Sequence, residues 1–324
     1  MPNVLLAIAA KDFADARRER FVLIVTAFLT IAALTALISG AIALATDVAT
    51  YNASRDTLLA LGKSAADIKA PEFYPLRLLR GAIEQTEIIG AIVAILIGYR
   101  GAASERGRQT LALMLSRPIA RWQFIAGKAL AGIGLIAGGL ALVLITCTIA
   151  LNFISGVGLT GDDLVRVGVI WVAGTIYAGT FFLLAFAFGL SFRRLPSALL
   201  ASFIVWLLIV LVAPQIGDTL DPDNQVAGGV FKQLQIVKAD EKAIMQTFAS
   251  YETIREGIES ASITKHFEQL SFATLGIKAT YAGQPLSFIM ADKIHNIIWL
   301  IAAFVMMGGV VLTLPLDPSR LSEE

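Results

Sequence analysis

Long apolar stretches separated by polar segments constrain this chain more than any other feature of its sequence. The first, from Phe21 to about Thr46, contains no charged residue. A helix rises about 1.5 Å per residue, so a stretch of this length crosses a hydrocarbon core of about 30 Å. The chain is 56% hydrophobic and 16% charged, with a mean hydropathy of +0.74. A soluble core of 324 residues cannot bury that much apolar surface. The sequence therefore predicts an all-α polytopic membrane protein.

Six transmembrane helices are predicted in total. The further spans are expected at about 81–99, 124–154, 167–192, 195–216 and 294–316. The second is the least apolar because Glu84 and Glu87 lie in its first turns. The third is rich in glycine, which allows helix backbones to approach closely in lipid. Residues 47–79 are polar and contain Pro71 and Pro75, so they are predicted to form a loop on the far side of the membrane.

Two regions outside the spans have helical patterns of their own. Near the N-terminus, apolar and charged residues alternate at helical spacing, which predicts an amphipathic helix on the inner membrane surface. Between Ile244 and Ile258 apolar residues recur at steps of three and four, within a region, 217–292, that is too polar to span a membrane. His266 lies in the same region and is expected to be solvated. The predicted parts are an N-terminal surface helix, a five-helix membrane part, an extracytoplasmic helical region, and a sixth span with a short tail, at 1–20, 21–216, 217–292 and 293–324.

The segment between the second and third spans predicts the orientation. Six basic residues and one acid lie in it: Arg100, Arg106, Arg108, Arg117, Arg121 and Lys128, with Glu105. Short loops rich in Lys and Arg remain on the cytoplasmic side of a membrane. The tight Arg193–Arg194 turn between the fourth and fifth spans agrees with this placement. With six spans, both termini are then cytoplasmic, in a bacterial or archaeal cytoplasmic membrane.

Several function classes find little support in the sequence. The only cysteine is Cys147 and there are two histidines, so no metal site is predicted. No G-x-x-x-x-G-K-[ST] sequence is present, so any ATP would be bound by a partner subunit and no cofactor is expected in this chain. With a net charge of +1 and no basic tail, nucleic acid is not an expected partner. An intramembrane enzyme is the least favoured class because neither His-Glu-x-x-His nor Gly-x-Ser-x-Gly occurs.

Within the coupling segment at about 105–121, residues 105–115 have the pattern of a short amphipathic helix. Leu111, Leu113, Met114 and Leu115 form an apolar side, and the helix is expected to end before Pro118, because proline disfavours helix at the residue before it. Such a helix would either dock a cytoplasmic ATPase or only anchor the hairpin to the membrane surface. Periodicity alone leaves both readings open.

The segment from Tyr99 to Lys128 resembles the block that follows the second span of type-2 ABC-transporter permeases. The matching residues are Glu105, Gly107, Thr110, Leu111, Leu115, Ser116, Pro118, Arg121, Gly127 and Lys128. Within that family it is most similar to the branch that includes the permease of the nitrous-oxide-reductase maturation transporter. The resemblance implies a permease subunit of an ATP-driven exporter, a separate ATPase subunit, and a second permease copy that completes the translocation path.

The resemblance also implies which residues contact the ATPase. The implied ATPase-coupling residues are Glu105, Gly107, Arg108, Thr110, Leu111, Leu115, Ser116, Pro118 and Arg121. Region 217–292 is larger than the corresponding element of the family, so a periplasmic partner there stays open. The alternative function is accordingly a membrane scaffold that assembles a periplasmic complex through 217–292.

Glu84 and Glu87 are the candidate residues for the translocation path. They lie three residues apart, hence on one helix face. Carboxylates at membrane depth are costly and usually serve a function. The other interpretation is that Arg80 and Arg77 pair with them at the membrane interface, where ion pairs cost little.

Overall fold

The computed structural model describes most of the chain. The described residues are 4–64, 74–107, 120–156, 158–220, 253, 257, 260–278 and 280–314, with the backbone alone for 105–107 and 217–220. The amphipathic pattern predicted between Ile244 and Ile258 falls largely outside these residues.

Six helices among the described residues are long and apolar enough to cross a membrane, which confirms the predicted polytopic all-α fold. Spans 1 to 6 are Phe21–Ala60, Pro75–Ser104, Arg121–Ser155, Gly161–Ser191, Leu195–Ile216 and Ile294–Thr313. No described residue lies in a β-strand. We call the end of the bundle where span 1 begins and span 6 ends the near end, and the opposite end the far end.

Span 1 is much longer than predicted. The expectation of a loop from residue 47 is wrong, because the helix continues without a break to Ala60. At about 1.5 Å per residue its 40 residues measure about 60 Å, twice the thickness of a hydrocarbon core. Polar residues mark the end of an apolar span in the sequence, but they do not by themselves end the helix. This helix ends where Gly62 adopts a φ of 84°, a conformation that favours glycine.

Span 4 is the central helix of the bundle. In its most apolar stretch 67% of the residues are buried, against 17% in span 6, and it packs against spans 2, 3, 5 and 6. Glycines permit these close contacts: a Cβ on Gly179 would lie 2.8 Å from the ring of Phe304 in span 6. Gly132 of span 3 lies directly against the ring of Phe182, as the glycine-rich sequence of this span predicts.

The described part of the region between spans 5 and 6 contains a buried helix, Ile263–Thr274, which we call the inserted helix. It packs against spans 4 and 6 and against the start of span 2. One side of it is completely buried, at Thr264, Phe267, Ser271 and Thr274. A short helix, Leu286–Asp292, then leads to span 6.

The N-terminal helix, Val4–Arg18, forms as predicted, and the chain turns at Arg20 (φ 55°) into span 1. It packs along the near end of span 3. Its Ile8 is buried against Gly127, where a Cβ would lie 2.9 Å from the Ile8 side chain. The glycine therefore permits a close contact between these two helices.

Candidate functional site

The structure describes the two ends of the predicted ATPase-coupling segment but not its middle. Arg108, Thr110, Leu111, Leu115, Ser116 and Pro118 lie outside the described residues. The backbone of Glu105 and Gly107 continues the helix Ala91–Gly107 that includes the end of span 2. Arg121 is the exposed first residue of span 3. The coupling segment therefore connects two helices that are fixed within the bundle.

The N-terminal helix is joined to span 3 by a buried ion pair. Lys128 Nζ lies 2.9 Å from Asp12 Oδ2, and the Lys128 side chain is only 2% exposed. The ammonium is also 5.6 Å from the centre of the Phe124 ring. Removing one partner of a buried pair is strongly destabilising, because it leaves the other charge buried and unpaired. The pair therefore fixes the N-terminal helix to the end of span 3 that follows the coupling segment.

A second ion pair joins span 2 to the start of span 1. Arg100 Nη2 donates to Glu19 Oε2 at 2.6 Å, and its guanidinium stacks 4.2 Å from the centre of the Phe21 ring. Both charged side chains are about half exposed, so this pair contributes about 1 kcal/mol at most. Asp12 and Glu19 lie seven residues apart and hence near one helix face, the face directed at spans 2 and 3. The N-terminal segment thus contacts the helices on both sides of the coupling segment.

At the far end, two arginines hold the C-terminal end of the inserted helix. Arg166 is 2% exposed; its Nη1 donates to the carbonyl oxygen of Thr274 (3.1 Å) and its Nη2 to that of Gln284 (2.6 Å). Arg77 Nε donates to the carbonyl oxygen of Gly276 at 2.8 Å. The last carbonyls of a helix have no partner within it and carry partial negative charge, so cations stabilise this end.

A tyrosine at the middle of span 4 fixes the buried side of the inserted helix. The ring of Tyr177 stacks on that of Phe267, with 4.7 Å between centroids. Its hydroxyl donates to the carbonyl oxygen of Glu87 at 2.9 Å and lies 3.4 Å from the hydroxyl of Thr264. Glu87 belongs to a π-helical turn, Thr86–Gly90, within span 2. Such turns are rare and are frequently found at functional sites.

The two predicted translocation-path residues have different surroundings. Glu84 accepts a 2.7 Å hydrogen bond from Arg80, and both side chains are largely exposed. Glu87 is partly buried and interacts electrostatically with Glu268 and Lys265 of the inserted helix. The interfacial pairing is therefore observed for Glu84.

The predicted pairing of Arg77 with these glutamates is not observed. Arg77 was the second expected partner of these glutamates, but its guanidinium binds the backbone of Gly276. The inserted helix supplies the charges near Glu87 instead: Lys265 Nζ lies 3.0 Å from Glu268 Oε2. The far end thus brings carboxylates of span 2 together with charged groups of the inserted helix.

His266 is buried, at 5% exposure, and the expectation that it is solvated is wrong. Its Nε2 donates to the carbonyl oxygen of Ser260 (2.9 Å), and its Nδ1 accepts from the amide of Asn296 (3.1 Å). The imidazole stacks on Trp299 with 5.5 Å between centroids. Burial, together with nearby His295, lowers the pKa of His266 below its usual value. One donating and one accepting nitrogen require the neutral ring.

Sequence reasoning missed the contributions of Arg166, Tyr177 and Lys128. Arg166 precedes the fourth span as that span was predicted, from about residue 167, although it lies four residues after Asp162, within the first turns of a helix that starts at a Thr160 cap. Tyr177 and Lys128 gave a weak signal, a single polar group inside an apolar stretch. Such groups are costly in a membrane unless they are paired, and each of these is.

These features together define a multi-pass helical membrane protein with polar contacts at both ends of its bundle. Residues 6–314 match the family model described as ABC-2 family transporter protein. The chain therefore belongs to the ABC-2 family and is a membrane permease subunit of an ABC transporter. Permeases of this family work with an ABC ATPase subunit and are transport components rather than enzymes. Among curated proteins, none matches this chain.

Proposed function

We propose that this permease is half of an ATP-driven exporter, and that residues 105–121 dock a separate ATPase that binds and hydrolyses the ATP. The near end with both termini is then cytoplasmic, in a bacterial or archaeal cytoplasmic membrane. Two copies enclose the translocation path. Export and the branch that includes the nitrous-oxide-reductase maturation permease are supported by the resemblance of residues 99–128 and belong to the proposal.

The contacts of the N-terminal segment carry this proposal. Span 2 leads into the coupling segment and span 3 leads out of it. Each span is joined to the N-terminal segment by an ion pair, Arg100 to Glu19 and Lys128 to Asp12. A force applied to the coupling segment therefore reaches spans 1, 2 and 3 together. A rigid contact of this kind is what a motor outside the membrane needs in order to move helices within it.

Co-purification from native membranes tests the docking. We expect the tagged full-length chain to bring down an ABC ATPase, identified by mass spectrometry, and Leu111→Asp to lose most of it, because a charge replaces an apolar docking contact. Gln109→Asp is the matched control, since Gln109 is predicted on the polar, solvent-facing side of the same helix. Equal recovery of the ATPase with both variants would count against docking at this segment.

For the translocation path, we propose that Glu84 and Glu87 face the moving cargo at the far end. Support comes from the π-helical turn at Glu87 and from the charges of Lys265 and Glu268 beside it. Glu87→Gln is expected to lower transport while leaving the amount of bound ATPase unchanged. Glu84→Gln is expected to have a smaller effect, because Glu84 already pairs with Arg80. The reverse order of effects would argue against this assignment.

A scaffold role was predicted through residues 217–292; a scaffold role through another segment, residues 47–60, is favoured by one observation, the continuation of span 1 to Ala60. Residues 47–60 are mostly exposed and extend about 21 Å beyond the predicted end of the span. Deleting residues 227–285 would not test a scaffold cleanly, because the inserted helix within that range is buried. Replacing exposed side chains of 47–60 avoids this problem. Loss of an extracytoplasmic partner without loss of transport would support the scaffold.

A further inference from the structure

A cleft lies between spans 5 and 6. Both helices pack against span 4, which forms the floor of the cleft with Phe181 and Leu184. Ile209 contributes one wall and Met307 the other, and the start of the inserted helix lies over the cleft at Ile263. The volume of the cleft is about 220 Å³, larger than the 80 and 20 Å³ of two other cavities of the bundle.

The chemistry of the cleft is apolar. Its described lining residues include no Asp, Glu, Lys or Arg, and His266 among them is neutral. The hydroxyl of Thr180 donates to the carbonyl oxygen of Ile176 (2.9 Å), so its proton is already used. His266 already uses both ring nitrogens, on Ser260 and Asn296. Among the described lining residues the indole N–H of Trp299 is the remaining side-chain donor, and a water or polar ligand needs two or more polar partners.

The cleft opens on the side of the bundle that faces the membrane. Its lining residues Trp299 and Met306 are 43% and 64% exposed. Spans 5 and 6 are among the three least enclosed spans, with 28% and 17% of their apolar stretches buried, against 22% in span 1. In a bilayer the medium in contact with these faces is lipid acyl chain. Methionine side chains are flexible and adapt to irregular apolar partners.

We propose that this cleft is a binding site for a single acyl chain of a membrane lipid, which enters sideways between spans 5 and 6. The occupant follows from three properties: apolar walls, too few free polar groups to hold a polar ligand, and a mouth between two helices that are apolar enough to cross a membrane. The site does not depend on the docking of an ATPase. A second copy of the chain against this face is the competing occupant, and the experiment below distinguishes it.

Photolabelling of the full-length chain in vesicles tests the proposal. The vesicles contain phosphatidylethanolamine and phosphatidylglycerol with a trace of a phospholipid that carries a diazirine in the middle of one acyl chain. Labelled residues are mapped by mass spectrometry. We expect labels on Met307 and Leu184 inside the cleft, and on Val305 as an internal standard, since Val305 is 62% exposed on the outside of span 6.

Ala303 and Ala302 provide a matched pair of variants. Ala303 lines the cleft, whereas Ala302 is exposed and is not part of the lining. Ala303→Phe should reduce labelling inside the cleft about tenfold relative to Val305, the factor expected when about two methylenes lose their apolar contact. Ala302→Phe should leave that ratio unchanged. Ala303→Leu, a smaller change that the fold tolerates more easily, should give an intermediate loss.

Two results would overturn the proposal. One is that lipid labelling inside the cleft is absent in the unmodified chain, or that it is equal in the Ala303→Phe and Ala302→Phe variants. The other is an absent lipid label together with a disulfide between two copies of a Met306→Cys chain in the same vesicles, which would assign the cleft to an interface between permeases.

Discussion

Arg166 is the residue whose removal most sharply tests how the far end is held together. Arg166→Met keeps an unbranched stem about as long as the aliphatic part of arginine but removes the hydrogen bonds to the carbonyl oxygens of Thr274 and Gln284. Each buried acceptor left without a partner costs about 1–3 kcal/mol. The ion pair with Asp162 adds little, because the Asp162 side chain is 56% exposed.

These contributions give an expected loss of about 3 kcal/mol in the free energy of unfolding. This loss lies in the lower half of the range set by two unpaired acceptors, because the methionine variant no longer has the free-energy cost of burying a guanidinium. Equilibrium unfolding in mixed detergent micelles, followed by circular dichroism, measures it. Trypsin cleavage after Lys265, which is only 19% exposed in its side chain, should become faster as the inserted helix loosens.

Arg80→Met is the control. Arg80 is also an arginine at the far end and also pairs with a carboxylate four residues away, but its side chain is 57% exposed. We expect that variant to lose about 0–1 kcal/mol. If Arg166→Met were no more destabilising than Arg80→Met, the inserted helix would not depend on its C-terminal carbonyl contacts.

Three further predictions follow from other contacts. Lys128→Met should leave the partly buried Asp12 carboxylate without its lysine partner, cost about 3 kcal/mol, and expose the N-terminal helix to trypsin, with partial recovery in the exchanged Asp12→Lys, Lys128→Asp chain. Tyr177→Phe removes one hydrogen bond but keeps the ring stacking, so equilibrium unfolding should show a loss of about 1 kcal/mol. Burial lowers the pKa of His266 below 6.5. Above pH 6.5 the imidazole is therefore neutral in both the folded and the unfolded chain. As the pH falls below 6.5, the unfolded chain binds a proton at His266 that the folded chain excludes. Stability should therefore fall towards acid by at most about 1.4 kcal/mol per pH unit, a dependence that His266→Phe abolishes and that replacement of exposed His295 retains.

The number of spans could be predicted from sequence because it depends on composition over about 20 residues. The length of span 1 could not, since a helix that leaves the membrane keeps the same backbone hydrogen bonds. Thr50 and Thr57 illustrate this: their hydroxyls bond to carbonyls four residues earlier, so polar side chains continue the helix at no loss.

The inserted helix shows a second limit. Its sequence includes Lys265, His266, Glu268 and Gln269, a composition typical of a solvated helix. Its burial depends on partners distant in the chain, among them Asn296, which donates to both His266 and Gln269. Polarity alone predicts exposure only where a polar group has no such partner.

The candidate coupling site was accessible to sequence reasoning because its pattern is local, and its residues remain a prediction. The N-terminal contacts were not accessible. Asp12 and Lys128 are 116 residues apart, and nothing in either local sequence indicates that they meet.

The most direct test of the central claim is a photo-crosslink between residue 111 and the ATPase in native membranes. A photoactivatable amino acid in place of Leu111 should give one adduct of the permease with the ATPase. The same amino acid in place of Tyr51, in the far-end extension of span 1, should give none. An ATPase adduct from position 51, or an ATPase that co-purifies with the chain but never cross-links from position 111, would contradict the proposed docking.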